Sequence, residues 1–424
     1  MKRLLLVLLV GLSALVLVAG LSTFWRAPKI HELPPTAPPT AEQVARGAYL
    51  ARAGNCMLCH TERGGPAYAG GRPLETPFGT VYSSNLTPDA RTGLGAWSQA
   101  QFRRALQDGR SRDGTLLYPA FPYTHTTRLT DADTDALFDY LRSLPPVNQP
   151  NAPHRLRWPY STQAALMVWR ALYFRPGPYV PDPTRTTEWN RGAYLVQGLG
   201  HCSACHTARN ALGGSRDLMD LSGGVIPMRN WYAPSLTSPS EASVAEWPLK
   251  DIEQLLSTGT APRGTVLGPM AEVVQHSTQY LEPTDIRAMA VYLKSLPPTA
   301  SDNDPREVPR APATQVSLGT RLYERHCASC HGADGRGVRG AYPALADNRA
   351  VTMPATANLV QVVLYGGYPP ATRGNPRPFG MPPYATVLSD AEVAAVLTYV
   401  RGAWQNRAAP VDELAVAQQR SSAR

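Results

Sequence analysis

Lysine is nearly missing from this chain: four of its 41 basic residues are lysine (Lys2, Lys29, Lys250, Lys294) and the rest arginine. The skew reads as base composition. No basic run interleaved with aromatics occurs, which argues against nucleic acid as a partner. No nucleophile triad, phosphate loop or nucleotide fingerprint appears, and the isolated glycine runs read as loops. Only one long hydrophobic run is present, at the N-terminus. With 43% hydrophobic residues over 424 positions, the chain is neither disordered nor polytopic. What it has in quantity is proline (41) and glycine (34). That composition favours small helical units joined by long loops over regular α/β layering.

Cysteine is scarce but ordered. The six cysteines form three pairs: Cys56 with Cys59, Cys202 with Cys205, and Cys327 with Cys330. Each pair is followed at once by a histidine: His60, His206 and His331. C-x-x-C-H is the attachment signature of haem c. The spacing places two thiols on one helical turn, where they add to the vinyl groups of one porphyrin, and the next residue offers its imidazole to the iron. A redox C-x-x-C, a zinc half-site and disulfides are the rival readings. Zinc needs further ligands at finger spacing, and no other cysteine exists. Three copies that consume every thiol predict three covalent haems c.

At the N-terminus, Met1-Lys2-Arg3 precedes an uncharged run of 22 residues, Leu4–Trp25. That length spans about 30 Å of hydrocarbon, longer than a signal core. Val18-Ala19-Gly20 is a weak cleavage site, and Trp25 suits a membrane interface. The run is expected to be a retained anchor rather than a cleaved signal, with its N-terminus cytoplasmic and the body exported.

Internal repetition organises the rest. RGAYLARAGNCMLCHT (46–61), RGAYLVQGLGHCSACHT (191–207) and the looser GTRLYERHCASCH (319–331) open three units. Residues 129–147, 281–298 and 388–404 close them as amphipathic helices, with Ser or Thr beside acidic residues as caps. Tyr49/Tyr140, Tyr194/Tyr292 and Tyr323/Tyr399 are expected to pack first helix against last. The chain thus divides into an anchor or signal (1–25), a Pro-rich stalk (26–41), a first unit (42–148) and a connector (149–185). A second unit (186–298), a linker (299–313), a third unit (314–404) and a tail (405–424) expected to be frayed complete it. The apolar AALMVW (164–169) in the connector is open to three readings: packing between units, docking of a partner, or membrane contact.

These units resemble class I cytochrome c domains in tandem, so the fold class is mainly α. TPFGTVYSSNLTPD (76–89), GTLLYPAFPYTHTT (114–127), EWNRGAYLVQGLGHCSACHTARNALGG (188–214) and GPMAEVV (268–274) carry a wider resemblance. Over about residues 45–404 the chain is similar to membrane-anchored tri-haem cytochrome c subunits of bacterial periplasmic dehydrogenases. The resemblance implies an electron-transfer subunit with no catalytic site of its own. Its partner would be a dehydrogenase catalytic subunit of molybdenum hydroxylase or quinoprotein type, with membrane quinone or a terminal oxidase as acceptor. It would sit at the periplasmic side of the cell inner membrane. YPAFPY with a following His leans toward the molybdenum hydroxylase type.

In such domains the second iron ligand is a Met in a Gly/Pro-rich loop before the closing helix. Met381 in PFGMPPY and Met270 in LGPMAEVV meet that description. The first unit departs from it. Where some relatives carry Met after YPA, this chain has Phe121, and the only Met between residues 42 and 150 is Met57, inside the attachment loop. His125, 65 residues after His60, stands where the Met ligands stand elsewhere. It is expected to complete the first haem. If that iron is open instead, the alternative function is a peroxidase-like catalyst.

Overall fold

A computed structural model describes Gly11, Ser13, Ile30, Glu32 and residues 37–215, 217–299 and 308–421. The proposed anchor, Leu4–Trp25, lies almost wholly outside the described residues, as do most of the stalk and of the 299–313 linker. Among the described residues no helix is long and apolar enough to cross a membrane. The described residues of Met1–Ala51, Cys56–Val180 and Ala211–Arg216 form one compact body. Those of Arg52–Asn55, Pro181–Asn210 and Asp217–Arg424 form another.

The first body opens with α1 (Ala41–Ala53) and the attachment turn α2 (Cys56–Cys59). Strands β1 (Pro73–Thr76) and β2 (Gly79–Tyr82) follow, then α3 (Gln99–Asp108), α4 (Tyr123–Thr126) and α5 (Asp131–Arg142). Strand β3 (Arg155–Leu156) and α6 (Gln163–Tyr173) close it. The strands form one antiparallel sheet in the order β1-β2-β3. A full capping box, Ser98 with Gln101, starts α3, and left-handed Gly109 ends it. Phe102 of α3 packs on Phe138 of α5, 5.1 Å between ring centroids. The connector sequence AALMVW lies in α6, which buries Leu166 and Met167 against Leu116 of its own body.

In the second body come α7 (Thr187–Gln197), α8 (Ser203–His206), the hairpin β4 (Gly224–Ile226)–β5 (Trp231–Ala233) and α9 (Leu249–Thr258). The small hairpin β6 (Thr260–Ala261)–β7 (Gly264–Thr265), α10 (Gly268–His276) and α11 (Pro283–Lys294) complete its first half. The other half contains α12 (Ala313–His326), α13 (Ala328–His331), α14 (Arg349–Thr352), α15 (Ala357–Tyr365), α16 (Asp390–Gly402) and α17 (Glu413–Ser421).

One packing device occurs three times. α1 crosses α5 at Gly47, where an added Cβ would lie 1.9 Å from the Ala136 carbonyl oxygen. α7 crosses α11 at Gly192, with the same 1.9 Å to the oxygen of Ala288. α12 crosses α16 at Gly319, at 2.2 Å from the oxygen of Ala395. Only a residue without Cβ lets the two backbones come this close. In two of the three, the preceding arginine fastens the crossing. Arg191 Nε and Nη2 donate to the Asp285 carboxylate at 2.8 and 2.7 Å, in the first turn of α11. Arg46 bonds buried Asp133 in the first turn of α5.

The tyrosines expected at this contact meet as a ring pair in Tyr323–Tyr399, at 5.4 Å. Tyr140 also lies edge-on to Tyr68, and Tyr292 to Trp189. Thr130 and Ser389 cap α5 and α16 as expected. α11 instead starts on Pro283, whose missing N–H is no loss at a first helical position. The tail is not frayed over its described part. Val411 and Val416 are buried in the last core, and Arg420 of α17 bonds Asp390 and the Leu388 carbonyl.

Candidate haem-attachment sites

Each C-x-x-C-H segment is a single helical turn. The backbone N–H of His60 donates to the Cys56 carbonyl at 3.0 Å, that of His206 to Cys202 at 3.0 Å, and that of His331 to Cys327 at 2.9 Å. This i to i+4 bond puts the first cysteine, the second cysteine and the histidine around one turn, as attachment to a single porphyrin requires. The cysteines form no disulfides. Burial, and next the neighbouring cysteine, push Cys56 and Cys202 up to about 12 and Cys327 to about 11. A redox C-x-x-C pair needs the opposite shift. Among the described residues no group of three or more His, Cys, Asp and Glu could hold a metal ion.

The three pairs differ in exposure at one position, Cys330. Cys59 and Cys205 are exposed, whereas Cys330 is half-buried. Its Sγ accepts the hydroxyl of the preceding residue, Ser329, at 4.0 Å. Met57-Leu58 and Ser203-Ala204 fill the first two loops, and only the third, Ala328-Ser329, sets a hydroxyl directly before the second cysteine. The backbone of the turn is unaffected, with Cys330 N–H on the Cys327 carbonyl at 3.2 Å and Cys205 N–H on Cys202 at 3.3 Å.

The histidine rings are held alike. His60 Nδ1–H donates to the Ser84 carbonyl at 2.8 Å, His206 Nδ1–H to Pro234 at 2.7 Å, and His331 Nδ1–H to Pro343 at 3.0 Å. This bond fixes the tautomer that leaves the Nε2 lone pair for a metal and raises its donor strength. Burial holds all three imidazoles below the usual histidine range, favouring the neutral form that ligation requires. The backbone is pinned too. The carbonyl of His60 accepts from Gly70 N–H at 2.9 Å, that of His206 from Gly223 at 2.8 Å and that of His331 from Gly337 at 2.8 Å. These three glycines all have positive φ.

Sequence reasoning missed the acceptors, because any residue has a carbonyl. A signal was present nonetheless: a leucine follows each by two positions, at Leu86, Leu236 and Leu345. Their N–H groups bond the Tyr68, Leu221 and Gly335 carbonyls in matching fashion. The residues present therefore fit haem c in all three places, with the cysteines as anchors and His Nε2 aimed by its ring partner.

The other expected ligands are less uniform. Met270 lies in the first turn of α10, behind Gly268 and Pro269, and is half-buried. Met381 exchanges backbone bonds with Gly367 at 3.0 and 2.8 Å and packs beside the last core. Met353, the other methionine of the third unit and not an expected ligand, is buried, and its carbonyl accepts from Arg401 at 2.9 Å. His125 sits in α4 with its side chain buried, 4% exposed, and Nδ1 3.0 Å from Thr124 Oγ1.

Comparison with known proteins agrees with this chemistry. The family pattern described as cytochrome c matches residues 44–145 and 316–404. The chain is 41% identical over 393 residues to a nicotinate dehydrogenase subunit of Pseudomonas putida, covering 89% of this chain and 32% of that protein. It therefore spans about a third of that relative's length. It is 38% identical over 381 residues to the cytochrome c subunit of alcohol dehydrogenase (quinone) of Komagataeibacter europaeus, covering 86% and 81% of the two chains. The fructose dehydrogenase cytochrome subunit of Gluconobacter japonicus is 36% identical over 418 residues, covering 91% and 85%.

Proposed function

Because the chain belongs to the cytochrome c subunits of dehydrogenase complexes, we propose that it is a tri-haem relay. It carries electrons from a separate catalytic subunit to membrane quinone or a terminal oxidase. Covalent haem c and electron transfer come with the family. The count of three, the three-domain division, the membrane anchor, the periplasmic location and the acceptor are the proposal. Bound haem c supplies a one-electron iron centre whose potential rises with thioether ligation and falls with imidazole ligation. The chain's own residues would anchor it through the paired cysteines and hold its iron through His60, His206 and His331, with His125, Met270 and Met381 as the further ligands.

The observation that carries this reading is the ring-to-carbonyl bond, made by all three histidines. Its test is the intact mass, which should exceed that of the apo-chain by three haem masses, with a c-type pyridine haemochrome. Two haems, or thiols that remain open to alkylation, overturn the count.

For the partner, a molybdenum hydroxylase acting on an aldehyde or an N-heterocycle is favoured by YPAFPY and by the match to a nicotinate dehydrogenase subunit. A quinoprotein is the second reading, favoured by the alcohol dehydrogenase (quinone) matches.

His60 and His125 together ligate the first haem in this proposal. Electron paramagnetic resonance of the oxidised protein should then show one low-spin bis-imidazole species beside His/Met signals. His125→Ala should turn that species high-spin and let it bind carbon monoxide. A wild-type protein that is already high-spin and binds carbon monoxide removes His125 as a ligand and favours the peroxidase-like alternative.

A further inference from the structure

Two residues ahead of the acceptor carbonyl, the strand carries a tyrosine in two of the repeats: Tyr82 before Ser84, and Tyr232 before Pro234. The edge of the strand at that tyrosine is closed in two different ways. In the first body β3 lies along β2, and His154 beside it accepts the Tyr82 N–H at Nδ1, 3.2 Å away. In the second body β5 pairs only with β4 among the described strands. The place of a third strand is taken by a side chain, that of Asn358 in α15. Its Oδ1 accepts the Tyr232 N–H at 2.8 Å, and its Nδ2 donates to the Tyr232 carbonyl at 2.7 Å. One amide thus reproduces both bonds of a neighbouring strand. One turn later Gln361 Nε2 donates to the Asn230 carbonyl at 3.3 Å. The same helix ends at Gly366, next to Gly367, whose backbone exchanges bonds with Met381.

We infer that Asn358 is a positioning residue for His206. By fixing the Tyr232 backbone it sets where the Pro234 carbonyl meets the His206 ring. The electronic state of the second haem is thereby tuned from the third repeat. The inference rests on the proposed role of His206 as an iron ligand. A short Nδ1–H···O=C bond gives imidazole more donor strength and lowers the potential of the metal it binds; a loosened one does the reverse.

The test is a potentiometric titration of the full-length holoprotein, in which the second haem is the wave displaced by Met270→Leu. In Asn358→Ala that wave should move to higher potential while the other two stay in place and haem content is unchanged. A wave that does not move overturns the inference. Arg349→Ala is the companion variant, since it cuts the bonds to the Pro239 and Ser243 carbonyls but leaves Tyr232 clamped. If it raises the wave as far as Asn358→Ala does, loosened packing suffices and the inference is likewise overturned. A wild-type mass with only two haems overturns instead the reading on which the inference rests, and mass reports this independently of any potential.

Discussion

Gly192→Val should cost the second repeat about 3 kcal/mol or more, because the added carbons cannot be accommodated by rotamer change. The first of them would sit 1.9 Å from the Ala288 carbonyl oxygen and 2.5 Å from its carbon. Both are backbone atoms, so α7 and α11 must move apart. Separation pulls the Arg191–Asp285 pair beyond its 2.7–2.8 Å bonds and opens the contact between Trp189 and Tyr292, now 5.1 Å between centroids. That repeat lies in the larger compact body, and for a unit of about 150–250 residues such a loss corresponds to a melting temperature lower by about 6–12 °C. Thermal melts followed at the helical circular dichroism band and in the Soret region would show it. Gly402→Ala is the control, since nothing lies within 4 Å of the Cβ it adds at the end of α16. Equal melting of Gly192→Val and wild type would mean that the helices do not cross as described.

Gly337→Val should release His331 from its carbonyl partner. Gly337 has φ +62°, where a β-branched side chain is strained. Its Cβ would also lie 2.4 Å from the Tyr342 oxygen and 2.7 Å from the Pro343 oxygen. The second of these is the atom that accepts His331 Nδ1–H at 3.0 Å. Strain and collision together are expected to cost about 3 kcal/mol. With His331 ligating a third haem as proposed, the distinctive readout is electronic: that haem's midpoint should rise, because its histidine loses donor strength. Gly340→Ala separates the two causes. Gly340 also has positive φ, +80°, but open space around it. It should cost about 1 kcal/mol and leave the potential alone. A third-haem potential untouched by Gly337→Val would sever the link between the Pro343 carbonyl and the proposed ligand, His331.

Legibility followed the range of the interaction. The capping of α5 and α16 could be read from Thr130 and Ser389 because a cap satisfies N–H groups two or three residues away. The start of α11 could not be placed on Thr284, because Pro283 is already suited to the first helical position. The tail was misjudged for a related reason. Val411 and Val416 have no local pattern strong enough to announce a helix, and they are buried only because α16 and α15 offer them a core. The tyrosines at the helix contact are visible as a repeat, whereas Gly47, Gly192 and Gly319, which decide how closely the helices pass, carry no signal of that role. A glycine's function there is the absence of atoms, and absence is felt only against a neighbour.

The spacing C-x-x-C-H marks, without any structure, where haem c would be attached and which imidazole would follow it, because the whole device fits within one helical turn. The threefold recurrence of that motif and of the helix before it determined a mainly helical, repeated organisation. Tertiary structure alone decided what holds each imidazole: the carbonyls of Ser84, Pro234 and Pro343 lie 24, 28 and 12 residues beyond their histidines. It alone decided that an asparagine from another repeat would complete the strand leading to one of them. Backbone carbonyls have no residue identity to read, and a partner at that distance along the chain is chosen by how the loops fold back, not by the residues between.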